Sequence, residues 1–217
     1  MNYNLVIIFS FSISIAAFIG FIRFKKIDST LYPFIFSIWI GFINEIISFL
    51  MTKNGQTTAI NNNIYVLIEA LLITWQFNNW GLLRRPWFLF PLVLILFIIS
   101  WIIEYFFVYK ITTIGSYFRV LYSFMIVLMS INVTNGLIVR DRRSILKNPV
   151  FLICIGFIFY YTYKVLVETF WIYGLNYSRG FRNNVYFILT YVNLFSNLIY
   201  ALAVLWMPMK QRFTLPS

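Results

Sequence analysis

Residues 149–173 read PVFLICIGFIFYYTYKVLVETFWIY, a run of 25 with only two charges, Lys164 and Glu168. An α-helix rises about 1.5 Å per residue, so about 20 apolar residues cross the roughly 30 Å hydrocarbon core of a bilayer. Asn148-Pro149 opens the run with a helix-start signal. Six further runs have the same character: Asn4–Ile22, Leu31–Met51, Asn63–Leu83, Trp87–Tyr109, Gly115–Val139 and Asn184–Met207. Lys53-Asn54-Gly55, Arg85-Pro86 and Pro208 punctuate the gaps. The pattern predicts an all-α, polytopic membrane protein: one seven-helix transmembrane domain over residues 1–217. A membrane barrel would show short alternating segments instead.

Composition agrees. Of 217 residues, 61% are hydrophobic and 11% charged, whereas a soluble domain carries about a quarter charged residues. Cys154 is the sole cysteine and histidine is absent. That excludes a disulfide framework and the Ser-His-Asp and Cys-His designs, and argues against zinc and haem sites. No metal and no cofactor is expected.

The net charge of +11 would point to nucleic acid in a soluble chain. Here the basic residues sit between apolar runs, where they set orientation, and no nucleic-acid partner is expected. Met1–Asn4 is uncharged, while Arg23, Lys25 and Lys26 follow the first run. This is the reverse of a cleaved signal peptide and predicts an outer N-terminus. The inner loops and tail then hold Arg23, Lys25, Lys26, Arg84, Arg85, Arg140, Arg142, Arg143, Lys147, Lys210 and Arg212. The outer loops hold Lys53, Lys110, Arg179 and Arg182. The C-terminus is expected in the cytosol, with ten residues after Met207 and no soluble output domain. Abundant Ile, Phe, Asn and Tyr suit a bacterial chain, so the expected location is the inner (plasma) membrane.

All four glutamates lie inside apolar runs: Glu45, Glu69, Glu104 and Glu168, joined by Arg119 and Lys164. A charge at the bilayer centre costs at least about 2.5–3.5 kcal/mol on insertion scales. Measured from the inner end by helical rise, Glu45 and Glu69 fall at about 20 Å, Lys164 at about 22 Å, Glu104 at about 25 Å and Glu168 at about 28 Å. The charges therefore crowd the middle and outer part of the bilayer. Polar stripes at helical spacing accompany them: Ser37, Gly41, Asn44, Glu45 and Ser48; Tyr65, Glu69, Gln76 and Asn79; Ser116, Arg119, Ser123 and Ser130; Tyr161, Lys164, Glu168 and Trp171; Tyr186, Thr190, Asn193, Asn197 and Tyr200. The first run offers only Ser10, Ser14 and Ala17 and is expected at the periphery.

Plain structural roles compete at each position. Lys164 and Glu168, four apart on one face, can neutralise each other. Glu104 and Arg119 lie near enough to the interface to reach water. Asn193 and Asn197 can bond helix to helix. Asn132-Val133-Thr134 and Asn176-Tyr177-Ser178 match the glycosylation pattern but carry little weight.

The expected ligand-binding set is Glu45, Glu69, Lys164, Glu168, Asn44, Arg119, Glu104 and Asn193, lining a polar pocket that opens outward. A sensor or receptor-like subunit fits this best. Its partners would be the lipid bilayer, a small-molecule or lipid-like ligand, and a cytosolic or membrane signalling protein docked on the basic inner face. A proton-coupled or small-solute transporter is the alternative, with Gln76, Asn79, Asn132 and Asn135 as its inner polar residues. An intramembrane hydrolase acting on a lipid-like substrate through paired carboxylates is the third reading.

Overall fold

The computed structural model describes residues 3–140, 145–173 and 179–208. Among them all regular elements are helical: α1 (Tyr3–Ser10), α2 (Ile13–Arg23), α3 (Tyr32–Lys53), α4 (Ala59–Asn79), α5 (Leu89–Ile103), α6 (Tyr117–Arg140), α7 (Pro149–Ile172) and α8 (Arg179–Trp206). A π-helical turn, Glu104–Val108, prolongs α5. Arg142, Arg143, Lys210, Arg212 and the tripeptide Asn176-Tyr177-Ser178 lie outside the described residues.

Six helical stretches are long and apolar enough to cross a membrane: Ile7–Lys26, Ser29–Lys53, Leu89–Val108, Tyr117–Val139, Pro149–Ile172 and Phe187–Trp206. The chain is a multi-pass membrane protein. Helix α4 falls outside that set. It has 21 residues, hence about 31 Å of length, but it is rich in amides. Its arrangement explains the composition. Asn63, Glu69, Thr74 and Gln76 are buried, while Ile60, Ile64, Ile68 and Trp75 are exposed. The helix is amphipathic with its polar face turned inward, the reverse of a surface helix in water.

Helix ends follow local chemistry. Both α3 and α4 close in Schellman turns. Gln56 N donates to Met51 O at 2.9 Å and Gly55 N to Thr52 O at 3.0 Å; Leu82 N donates to Phe77 O at 3.2 Å and Gly81 N to Asn78 O at 2.9 Å. The two glycines take φ of 69° and 90°, which side-chain-bearing residues rarely adopt. Gly81 therefore ends α4 at Asn79, four residues short of the expected Leu83. Helix α7 starts as expected, with Asn148 Oδ1 accepting from Val150 N at 2.9 Å.

The first run is not one helix. Ser12 Oγ donates to Phe9 O at 2.6 Å and accepts from Asn197 Nδ2 of α8 at 2.9 Å. A hydroxyl bonded back to its own turn tightens and bends the chain there, and α1 and α2 separate. Nor is the first run wholly peripheral. Ala16, Ala17 and Gly20 are buried, and these small residues let α2 lie close to its neighbours. Ala17 O accepts from Trp39 Nε1 of α3 at 3.1 Å. Arg23 donates to Val204 O at 2.9 Å, to Leu205 O, and to Met207 O at 3.1 Å. A cation thereby caps the carbonyl end of α8.

At this same end Gln76 ties α4 to α3. Its Oε1 accepts from Phe34 N at 3.0 Å and its Nε2 donates to Thr30 O at 2.8 Å. Asn79 Nδ2 donates to Thr30 O as well, at 3.1 Å. Above them lies an aromatic layer. Phe157 packs on Phe34 (5.9 Å between centroids), Phe77 (6.0 Å) and Tyr200 (5.7 Å). Gly156 makes room for it, because the Tyr200 ring occupies the place of a Cβ. Gly156→Val is expected to lower stability by about 1–3 kcal/mol through overpacking, read as a lower melting temperature in detergent. Gly136→Ala, where a Cβ would meet nothing within 4 Å beyond the helix's own backbone and chain neighbours, should leave the melt unchanged or raise it.

Candidate functional site

The half of the bundle beyond the aromatic layer holds the charges. Two ion pairs cross between helices there. The first joins α4 and α7: Lys164 Nζ lies 3.6 Å from Glu69 Oε2. Tyr65 Oη donates to Glu69 Oε1 at 2.7 Å, Tyr122 Oη to Glu69 Oε2 at 2.8 Å, and Lys164 donates to Tyr122 Oη. The ammonium also stands over three tyrosine rings, 5.0 Å from the centroid of Tyr122, 5.3 Å from Tyr160 and 5.5 Å from Tyr161. These cation–π contacts strengthen where water is scarce.

The second pair joins α6 and α7. Arg119 Nη1 lies 3.5 Å from Glu168 Oε1, and Ser116 Oγ donates to Glu168 Oε2 at 2.6 Å. Arg119 Nη2 donates to Asn63 Oδ1 at 3.2 Å, as Tyr105 Oη does at 2.9 Å. Asn63 Nδ2 in turn holds Ile111 O at 2.9 Å and Thr113 O at 2.7 Å. Trp101 Nε1 donates to the Asn63 carbonyl at 2.9 Å. This fully buried amide therefore fixes α5, α6 and the loop between them.

Neither pairing follows the expected neutralisation of Lys164 by Glu168 along one helix face. Each residue meets a partner from another helix instead, because both point into the bundle. Arg119 does not reach for water; it turns inward to Glu168 and Asn63. Glu104 has a different role. Only 3% exposed, its carboxylate accepts from Tyr117 N at 3.0 Å and from Phe118 N, the first free amides of α6. Gly115 lets it approach, since a Cβ there would meet the carboxylate. Glu104 is a helix cap and lines neither of the main cavities.

Those cavities adjoin. The wider, about 570 Å³, is lined by Asn44, Glu45, Asn62, Tyr65, Ser116, Arg119, Tyr160, Lys164, Glu168 and Trp171, among others. The narrower, about 80 Å³, lies toward the aromatic layer and includes Glu45, Tyr65, Glu69, Tyr160, Asn193 and Asn197. Glu45, Tyr65 and Tyr160 border both. Seven of the eight expected residues thus line these two adjoining cavities.

Asn61, Asn62 and Asn63 were not among them. Asn61 Nδ2 donates to Asn44 Oδ1 at 2.8 Å and to Ser48 Oγ at 3.0 Å. Three successive amides near the start of α4 were the available signal: Asn61 and Asn62 face Asn44 and Ser48 of α3, and Asn63 faces α5 and α6. Asn44 and Asn193 are engaged in the same manner, the latter accepting from Asn197 Nδ2 at 3.3 Å. No protein-family model matches the chain, and no curated protein or solved structure matches it either.

Removing one member of a buried ion pair costs about 3–5 kcal/mol, while replacing both by neutral groups is often tolerated. Lys164→Met alone should therefore be strongly destabilised. Lys164→Met with Glu69→Gln should regain most of the loss in a chemical or thermal melt. Simply additive losses would show the two side chains to be uncoupled.

Proposed function

We propose that this chain is a seven-span ligand-binding module of the bacterial inner membrane, with its N-terminus outside and its C-terminus in the cytosol. Helix α4 supplies the seventh span: it is long enough, and its polar face is covered by the other helices. The basic residues Arg23, Lys25, Lys26, Arg84, Arg85 and Lys147 gather at the end where α2 and α4 finish and α7 begins, against Lys53 and Lys110 at the opposite end. The positive-inside rule then makes the first end cytosolic.

One observation carries the ligand reading: the cavity of about 570 Å³ lies at the end away from those basic residues. Its lining comes from Asn44 and Glu45 of α3, the first turns of α4, Tyr109, the loop before α6 and its first turn, α7 from Tyr160 to Ile172, and Leu189 of α8. That size falls within the roughly 300–1,000 Å³ of small-molecule sites. The adjoining narrow cavity reaches Phe34, Phe157 and Tyr200 of the aromatic layer, so a ligand entering from outside would stop there. A sensor subunit needs this blind pocket and a face for a signalling partner, which the basic cytosolic end offers.

Passage through the bundle has less support. Gln76 and Asn79, the inner amides a carrier would use, are committed to Thr30 and Phe34. Asn132 and Asn135 are exposed on the outer side of α6. Hydrolysis has less still. Glu45 and Glu69 share the narrow cavity, but both Glu69 oxygens are taken by tyrosine hydroxyls and about 80 Å³ admits no lipid chain.

Two measurements test the proposal. In a Cys154→Ala background, Lys110→Cys should react with a membrane-impermeant maleimide on intact cells and Arg85→Cys should not; the reverse labelling overturns the orientation. A thermal-shift panel of small solutes on purified protein should yield a stabilising ligand, since saturation at a hundredfold Kd contributes about 2.7 kcal/mol. Uptake of that ligand into proteoliposomes would replace the sensor reading with transport.

A further inference from the structure

The charges around the cavity do not balance. Glu69 is matched by Lys164, and Glu168 by Arg119. Glu45 has no counterpart. Among the described residues no hydrogen bond or ion pair reaches its carboxylate. Three carboxylates therefore face two cations, and both cations are already held by others. An unpaired carboxylate turned toward the bundle interior is costly unless something completes it.

Its position is equally specific. Glu45 borders the wide cavity and the narrow one, and also a third space of about 140 Å³ bounded by Ile7, Ser10, Phe11, Ser48, Phe49, Thr52 and Thr58. That third space lies between α1 and α3, beside the break at Ser12. α1 itself rests on α8. Glu45 is thus shared by the wide cavity and a cleft between α1 and α3. Beside it, Tyr65 and Tyr160 border both main cavities, and Trp171 lines the wide one. The chain already uses such rings around a cation, as Lys164 shows over Tyr160.

Resting on the proposal of a ligand pocket, we infer that the ligand is an organic ammonium compound, with Glu45 receiving the cationic group and Tyr65 and Tyr160 forming its aromatic walls. A carboxylate supplies the charge, and ring faces attract an alkylated ammonium without competing for hydrogen bonds. The cation is met by Glu45 whether it arrives free in water through the wide cavity or as the headgroup of an amphiphile through the α1–α3 cleft.

Intrinsic tryptophan fluorescence and melting temperature of the purified full chain would be followed against three probes. Choline represents the free cation, dodecyltrimethylammonium below its micellar concentration the amphiphile, and 3,3-dimethylbutan-1-ol the uncharged isostere of choline. Wild type is expected to bind one or both cations and to discriminate against the isostere. Glu45→Gln keeps shape and removes charge. It should weaken the cation by at least about tenfold, the scale of one lost charge-assisted interaction, and leave the isostere unchanged. Its ligand-free melt reports folding, and Glu45→Asp, which keeps the charge, should restore part of the binding. Choline alone binding identifies a water-borne ligand, and the amphiphile alone a bilayer-borne one.

Equal binding of choline and its isostere, or cation binding untouched in Glu45→Gln, overturns the inference while leaving a ligand pocket in place. Failure of both cations to bind also overturns it. If neutral or anionic members of the wider panel bind instead, the pocket survives without the ammonium. If nothing binds at all, the pocket reading falls with it.

Discussion

A charge inside a bilayer must be answered inside the protein, because lipid supplies neither water nor counter-ions. That single constraint orders the half of this bundle that holds the ion pairs. Glu69 on α4 needs Lys164 on α7, and Glu168 on α7 needs Arg119 on α6. Helix α7 therefore sits against both, and the tyrosines of α4, α6 and α7 fill the space between their polar tips. Between lipid-exposed helices there is little hydrophobic drive to associate, so these pairs and amides give the bundle its specificity. The other half holds no ion pair among the described residues. There, aromatic packing around Phe157 and the backbone bonds of Gln76 and Arg23 close the structure.

The same constraint explains why the polar interior is not continuous. In the half that holds Gln76, Asn79 and Arg23, these side chains are spent locally, on helix-end amides and carbonyls. Around the two adjoining cavities three carboxylates stand with two cations, and space remains beside them. A bundle whose only aim was cohesion would have matched Glu45 as it matched Glu69.

Much of this was legible in the residues. Helix positions follow from the length of apolar runs, and the glutamates, Arg119 and Lys164 were identifiable by their cost in lipid. Partner choice was not legible. Spacing along one helix favours Lys164 with Glu168, yet helix rotation puts them with Glu69 and Arg119. Glu104 resembled its fellow glutamates in sequence, and only the approach of the α6 amides past Gly115 shows it to be a cap. Asn63 was hidden for a related reason: an asparagine at the head of a run reads as a boundary marker, and its five partners are brought to it by the tertiary fold. Ser12 likewise breaks its helix through Asn197, 185 positions away.

The inward polarity of α4 also bears on how the chain enters the membrane. With three asparagines, Glu69, Gln76 and two terminal asparagines, this segment gains little by partitioning alone, since each polar side chain at depth counts against insertion. Its polar face becomes acceptable only once other helices cover it. The link to α3 spans only residues 54–58, and Asn61 already bonds Asn44 and Ser48 across the turn. In the seven-span arrangement α3 and α4 therefore enter as a hairpin. Glu69 then waits at the translocon for a lysine that is synthesised 95 residues later, so α4 stays only partly sheltered until α7 has entered.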